Sequence, residues 1–211
     1  MPGRQLDDTV ARRRDAALAG HAGDERTARS FLSDQDANVR ATALGALNRI
    51  GALRQEELVA ASLDADPIMR RRACTESTSW NGGVGDPIER SVGDAIASLL
   101  HDADDSVVEI AAWAIGERPP APARTIEKLC EIATGHNDAL CRESAVAALG
   151  ALGAPEGLPS ILKATEDKAT VRRRAIIALA PFDGPEVEAA LERALNDRDW
   201  QVRQAAEDLS P

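Results

Sequence analysis

The chain of 211 residues has no tyrosine and only two phenylalanines and three tryptophans, so aromatic side chains make up 2% of it. Sheets draw on aromatic and β-branched residues, and a chain this poor in aromatics but rich in alanine and leucine points to helices packed through small side chains. Cysteine is equally sparse: Cys74, Cys130 and Cys141 share no CxxC spacing, and their odd number argues against a disulfide framework. Reduced thiols are expected. No run approaches the roughly 18 apolar residues of a membrane span. The opening segment MPGRQLDDTVARRRD lacks the apolar stretch of a signal peptide, so a cytoplasmic protein without membrane contact is expected. Net charge of one sign is what the chain does carry. At a formal -10 and a pI near 4.8, its average field repels phosphate backbones and anionic lipid, which disfavours nucleic acid as a partner.

Against this background one pattern returns seven times: an acid, two residues, an apolar residue, usually arginine, and alanine three residues later. Its anchors are Asp7, Asp36, Asp66, Asp104, Asp138, Lys168 and Asp199, at intervals of 29, 30, 38, 34, 30 and 31 residues. A period of this size indicates stacked supersecondary units. Three residues after the anchors stand Val10, Val39, Met69, Val107, Cys141, Val171 and Val202; seven after, Ala43, Ala73, Ala111, Ala145, Ala175 and Ala206. Later slots hold Ala46 with Leu47, Ala114 with Ile115, Ala148 with Leu149 and Ala178 with Leu179, then Ile50, Trp80, Leu152 and Phe182. These offsets trace one face of a helix.

A second apolar pattern lies between these helices, clearest in Val187, Ala190, Leu191, Ala194 and Leu195 and weaker around Leu158 to Leu162 and Ile126 to Cys130. Each period is therefore a helical hairpin, with Gly153-Ala154-Pro155-Glu156 and Gly184-Pro185-Glu186 ending one helix and starting the next. The fold predicted is all-α: a right-handed α-solenoid of about seven hairpins forming a single domain over residues 1–211. Two departures stand out. The third copy has Glu76 and Ser77 where the others carry an Ala-Leu pair, and it is followed by a glycine-rich stretch at 81–87 that reads as an exposed loop. The fourth has Val108 and Glu109 where others carry arginine.

The segments Asp36-x-x-Val39-Arg40, Asp138-x-x-Cys141-Arg142-x-x-Ala145-x-x-Ala148-Leu149-Gly150 and Val171 to Ala175 resemble HEAT repeats, closest to the short form named after phycobilisome lyases. The resemblance extends over nearly the whole chain. It implies a solenoid whose inner helices present a concave binding face, and it leaves function open, because such repeats occur in adaptors, lyases, hydroxylases and DNA glycosylases.

Arg40, Arg70, Arg142, Arg172 and Arg203 all fall four residues after an anchor. The resemblance implies that such arginines pair with the acids that precede the helices, as part of the scaffold. Specificity is expected in two variable slots. Five residues after the anchor stand Arg12, Ala41, Arg71, Glu109, Glu143, Arg173 and Gln204; nine after, Ala16, Gly45, Thr75, Trp113, Ala147, Ile177 and Asp208. The predicted partner-binding residues are Arg71, Glu109, Trp113, Glu143, Arg173 and Ile177, with Trp113 as the aromatic anchor. Trp80 aligns with core residues, and Trp200 in the last copy reads as a cover for the end of the stack.

Deoxyhypusine hydroxylases, which share this repeat type, hold di-iron through His-Glu pairs. Here His21, His101 and His136 are followed by Ala, Asp and Asn, and no repeat offset unites them. No metal, cofactor or catalytic residue is expected. A glycosylase-like reading needs a basic face and lesion-stacking aromatics, and a phycobilin lyase-like one a bilin pocket that no residue set marks; both stay as the alternative of a HEAT-type enzyme or enzyme subunit. The reading preferred is a scaffold or adaptor for an unidentified protein partner, its oligomeric state undetermined.

Overall fold

A computed structural model describes the backbone of residues 2–81 and 87–209, and the side-chain environments of residues 8–81 and 91–209. Among the described residues the chain forms thirteen α-helices with short 3-10 turns and no strand. It divides into two units, Met1–Leu99 and Leu100–Pro211. The first holds α1 (Pro2–Ala22), α2 (Glu25–Ser30), α3 (Ala37–Arg49), α4 (Gln55–Ser62), α5 (Pro67–Ser79) and α6 (Pro87–Ser98). The second holds α7 (Asp105–Gly116), α8 (Ala123–Gly135), α9 (Ala139–Leu152), α10 (Leu158–Ala164), α11 (Ala169–Ala178), α12 (Pro185–Ala194) and α13 (Trp200–Leu209). In each unit the odd-numbered helices, which carry the repeat pattern, pack in one row, α1 on α3 on α5 and α7 on α9 on α11 on α13. The even-numbered ones form a second row against them, so apolar faces that one hairpin leaves open are closed by the next.

The anchors are helix N-caps. The side chains of Asp36, Asp66, Asp104, Asp138 and Asp199 each accept a hydrogen bond at 2.8–2.9 Å from the backbone N–H two residues on, satisfying a donor the helix itself cannot. Lys168 has no such bond. Gly153 ends α9 in the left-handed region at φ 61°, its N–H bonding to the Leu149 and Gly150 carbonyls. Gly184, at φ 119°, stands one helix later than the sequence pattern placed it: α11 closes at Leu179, and Gly184 is the cap residue of α12.

The core follows the predicted slots in part, at Leu47, Leu149, Ile161 and Leu179; Leu44, Val146 and Ile176, eight residues after their anchors, fill a buried slot the pattern did not mark, and Ile50, Leu152 and Phe182 are only half-buried. Leu44, Leu47 and Leu58 in the first unit, and Val146, Leu149, Ile161, Ile176 and Leu179 in the second, are fully buried. Each such side chain contributes about 1.5–3 kcal/mol of transfer free energy. The first copy departs from the predicted register. Asp7 lies inside α1 rather than at its start, Val10 is 66% exposed, and Ala16, assigned to the open face, is buried against Val39 and Ala43 with Phe31 and Leu32 beside them. Shifting the first anchor to Asp8 brings Ala16, Ala19 and Gly20 into line with the buried Leu44 and Leu47 and the half-buried Asn48 of α3.

Where anchor helices cross, glycine meets alanine. A Cβ on Gly20 would stand 2.7 Å from Ala46 Cβ, on Gly116 2.9 Å from Ala148 Cα, and on Gly150 2.7 Å from Ala178 Cα, so only glycine permits this approach. The third copy breaks the rule with compensation. Asn48 replaces the glycine and Glu76 the alanine, and the Asn48 amide donates to the Glu76 carboxylate at 2.6 Å and to its carbonyl at 3.2 Å. Trp80 is buried, with Nε1–H donating to the Leu53 carbonyl at 2.9 Å. Trp200, at the start of α13, is 64% exposed. The glycine-rich stretch expected as a loop at 81–87 falls largely outside the described residues.

Candidate interaction surface

The arginines four residues after the anchors are spent on the scaffold, with a partner other than the anchor itself. Arg40, Arg142 and Arg172 each grip, through Nε and Nη2, both oxygens of an aspartate two residues or one residue before the next anchor: Asp64 at 2.8–3.1 Å, Asp167 at 2.6–2.8 Å, Asp197 at 2.7–2.9 Å. Their third nitrogen donates back to carbonyls preceding their own helix, Asp34 and Gln35, His136 and Asn137, and Asp167. Asp34, Asp64 and Asp197 also receive the anchor's backbone N–H. The Arg142 and Arg172 guanidinium groups hold the Asp167 and Asp197 carboxyls below the usual range, and raise their own pKa in return. At Asp34 burial pushes the carboxyl up, but the Asp36 N–H and Arg12 more than offset it. Arg12, at 2.8 Å from Asp34, is thus a rung of this ladder and not a surface residue, the direct consequence of the register shift in α1. The ladder skips one rung with both halves changed together. Val108 is buried in the arginine slot of α7, and His136 stands where the next aspartate would be, its Nδ1 accepting the Asp138 N–H at 3.1 Å.

With the ladder accounted for, the exposed face of the odd-numbered helices is left. In the second unit Trp113 on α7 and Ile177 on α11 are 36% and 38% exposed, large apolar side chains in the same slot of alternate helices. Half-buried Ala147 of α9 holds that slot between them. Glu109 and Glu143 are half-buried one turn earlier, Arg173 is exposed, and Arg174 reaches Glu143 at 3.5 Å. Five of the six predicted residues therefore share one row of three adjacent helices. The sixth, Arg71, holds the corresponding slot on α5 in the first unit, half-buried and engaged by neighbouring groups. Ala41, assigned to the open face, is buried.

The corresponding face of the first unit is a groove of about 420 Å³ lined by Arg13, Arg14, Thr42, Gly45, Arg49 and Arg72 among others. Only the clustering of arginine at 12–14 and 70–72 hinted at it in sequence. The register of α1 and the position of Arg49, outside both variable slots, kept it from view.

Among the described residues no group of three or more His, Cys, Asp or Glu side chains could hold a metal ion. The three thiols are free, and burial pushes Cys141 up to about 12, which suits a core residue and not a nucleophile. No described helix is long and apolar enough to cross a membrane.

Two stacked rows of helices on a repeated capped motif define a helical repeat solenoid. Residues 93–179 match the family of HEAT repeats, and residues 171–197 match the PBS lyase HEAT-like repeat. Residues 93–197 are thus matched as HEAT repeats. No curated protein matches it. Among solved structures it is similar to YibA of Escherichia coli, at 17% identity and a TM-score of 0.64, over 85% of this chain and 67% of that one. It is also similar to an engineered protein, at 21% identity and a TM-score of 0.61, over 88% and 96%. A designed armadillo repeat protein in complex with the peptide (KR)4 has 19% identity and a TM-score of 0.60, over 86% and 96%. At these identities the likeness is one of fold.

Proposed function

We propose that the chain is a protein-binding scaffold or adaptor whose partner docks on the exposed face of α7, α9 and α11. The observation that carries this reading is the pair Trp113 and Ile177, large apolar side chains left open in matching slots of alternate anchor helices. An aromatic anchor beside a small residue, Ala147, with Glu109 and Glu143 a turn away, has the composition of an interface centre with a polar rim. The acidic pair would favour a partner segment carrying basic residues, and the structurally similar designed armadillo protein was solved with a Lys-Arg peptide.

Affinity capture from native lysate, comparing wild type with Trp113→Ala, tests this. The partner enriched by wild type should bind the variant about 30-fold more weakly, as expected for about 2 kcal/mol of interfacial truncation. Thermal melting should fall only slightly. Unchanged binding together with a melting temperature several degrees lower would make Trp113 a packing residue and remove the basis for the reading.

A further inference from the structure

We propose that the arginine-lined groove of the first unit is a binding site for an acidic peptide segment, recognised through its side-chain carboxylates. Four guanidinium groups, Arg13 and Arg14 from α1, Arg49 from α3 and Arg72 from α5, converge on the same groove in a protein whose net charge is -10. Local carboxylates answer only half of them. Asp15 lies 3.3 Å from Arg14, and Glu76 lies 2.7 Å from Arg72 Nε. That last contact is off the N–H direction, so the buried Arg72 Nε makes no hydrogen bond. Arg13 meets the Thr42 hydroxyl at 3.2 Å and Arg49 the His21 ring at 3.4 Å, and neither has an ion-pair partner among the described residues.

Gly45 makes the site. A Cβ there would fall 1.7 Å from Arg72 Nη2, so the missing side chain is what lets Arg72 lie across α3 and join the other three. Elsewhere on these helices arginine is neutralised rung by rung; here like charges are gathered and held open, an arrangement that a carboxylate relieves by accepting paired N–H bonds from a planar fork. A volume of about 420 Å³ suits a few side chains and lies within the ~300–1,000 Å³ of small-ligand sites. The negative field of the whole chain opposes a long polyanion such as nucleic acid or an anionic bilayer, but a short acidic segment engages the local patch alone. This site is independent of the Trp113 face, which belongs to the other unit.

The test is fluorescence anisotropy of the full chain with a labelled octaglutamate peptide at low salt, alongside a Gly-Ser octamer, an octathymidylate strand and phosphatidylserine vesicles. Octaglutamate should bind, the Gly-Ser peptide should not, and raising the salt should weaken the complex. The Arg13→Ala/Arg49→Ala double variant, which removes only exposed side chains, should lose about tenfold in affinity. Gly45→Ala moves the flexible end of Arg72 rather than backbone, so it should keep the melting temperature and still weaken binding. The proposal is overturned if octaglutamate does not bind, if both variants bind like wild type, or if the oligonucleotide or the vesicles bind more tightly than octaglutamate.

Discussion

The two units use the open face of the same repeat for surfaces of opposite character. In the second, α7, α9 and α11 cross through Gly116 over Ala148 and Gly150 over Ala178, and their open face carries Trp113, Ile177 and two glutamates. In the first, the α3–α5 crossing is polar, Asn48 on Glu76, and the open face carries four arginines around Gly45. The difference separates what the repeat fixes from what it leaves free. Crossing and ladder slots change only as pairs, Asn48 with Glu76 and Val108 with His136, because each member faces its counterpart one layer away. Face slots change singly, and that is where chemistry accumulates.

Cutting a rung of the ladder gives the largest expected effect. Asp197→Ala leaves the buried Arg172 guanidinium without its bidentate partner and the Asp199 N–H without an acceptor, a loss of about 3 kcal/mol measured by urea unfolding. The same rung predicts an acid response. The Asp167 and Asp197 carboxyls are held below their unfolded value, so their contribution is complete above about pH 5 and is lost as pH falls through the folded pKa values. The wild-type urea midpoint should be flat from pH 7 to pH 5 and drop below pH 4, less steeply in Asp197→Ala. A midpoint indifferent to acid, or an Asp197→Ala variant as stable as wild type, would show that the rungs contribute nothing.

The two kinds of crossing come next. Gly150→Val puts a Cβ against the backbone of α11 and should cost about 1–3 kcal/mol through overpacking. Glu76→Ala removes the carboxylate acceptor of the half-buried Asn48 amide and the ion-pair partner of Arg72, and should cost about 1 kcal/mol. Converting the polar crossing to the regular one, Asn48→Gly with Glu76→Ala, should recover much of that loss. If the double variant is no more stable than Glu76→Ala alone, Asn48 and Glu76 are not a compensating pair.

These contrasts also show why some of the molecule was legible in the chain and some was not. Periodicity exposes whatever every layer repeats, so the helix register from Val39 onward, the positions of the anchors and the scaffold role of Arg40, Arg142 and Arg172 could be read directly, whereas the capping role of the anchors could not. The carboxylates these arginines grip, Asp64, Asp167 and Asp197, lie just ahead of the next anchor, outside the helical offsets that reveal the rest. The first copy failed because Asp7 and Asp8 both fit the anchor and no earlier layer constrains Val10 to be buried. The arginine groove failed for a further reason: it joins residues of three helices whose offsets differ from copy to copy, and only packing brings them together. Trp113 and Ile177 stand out in the sequence because they break a slot filled elsewhere mostly by small or polar residues, a contrast visible without coordinates.

The smallest effect tests the pairing rule itself, at the missing rung. His136 already does half of an aspartate's work, since its Nδ1 accepts the Asp138 N–H at 3.1 Å as Asp34, Asp64 and Asp197 do for their anchors. His136→Asp alone therefore keeps that bond and should shift stability by less than about 0.5 kcal/mol. Val108→Arg alone places a guanidinium in a buried slot with no carboxylate ahead of it, and should destabilise by more than His136→Asp does. Together the two restore the grip that Arg142 has on Asp167 and Arg172 on Asp197, so the double variant should be more stable than the sum of the singles by about 1 kcal/mol. A positive coupling energy in this double-mutant cycle, read from urea midpoints at pH 7, would mean that the rung is set by two slots acting on each other across a layer. Strict additivity would mean that Val108 and His136 changed independently, and the rule that scaffold slots vary only in pairs would rest on Asn48 and Glu76 alone.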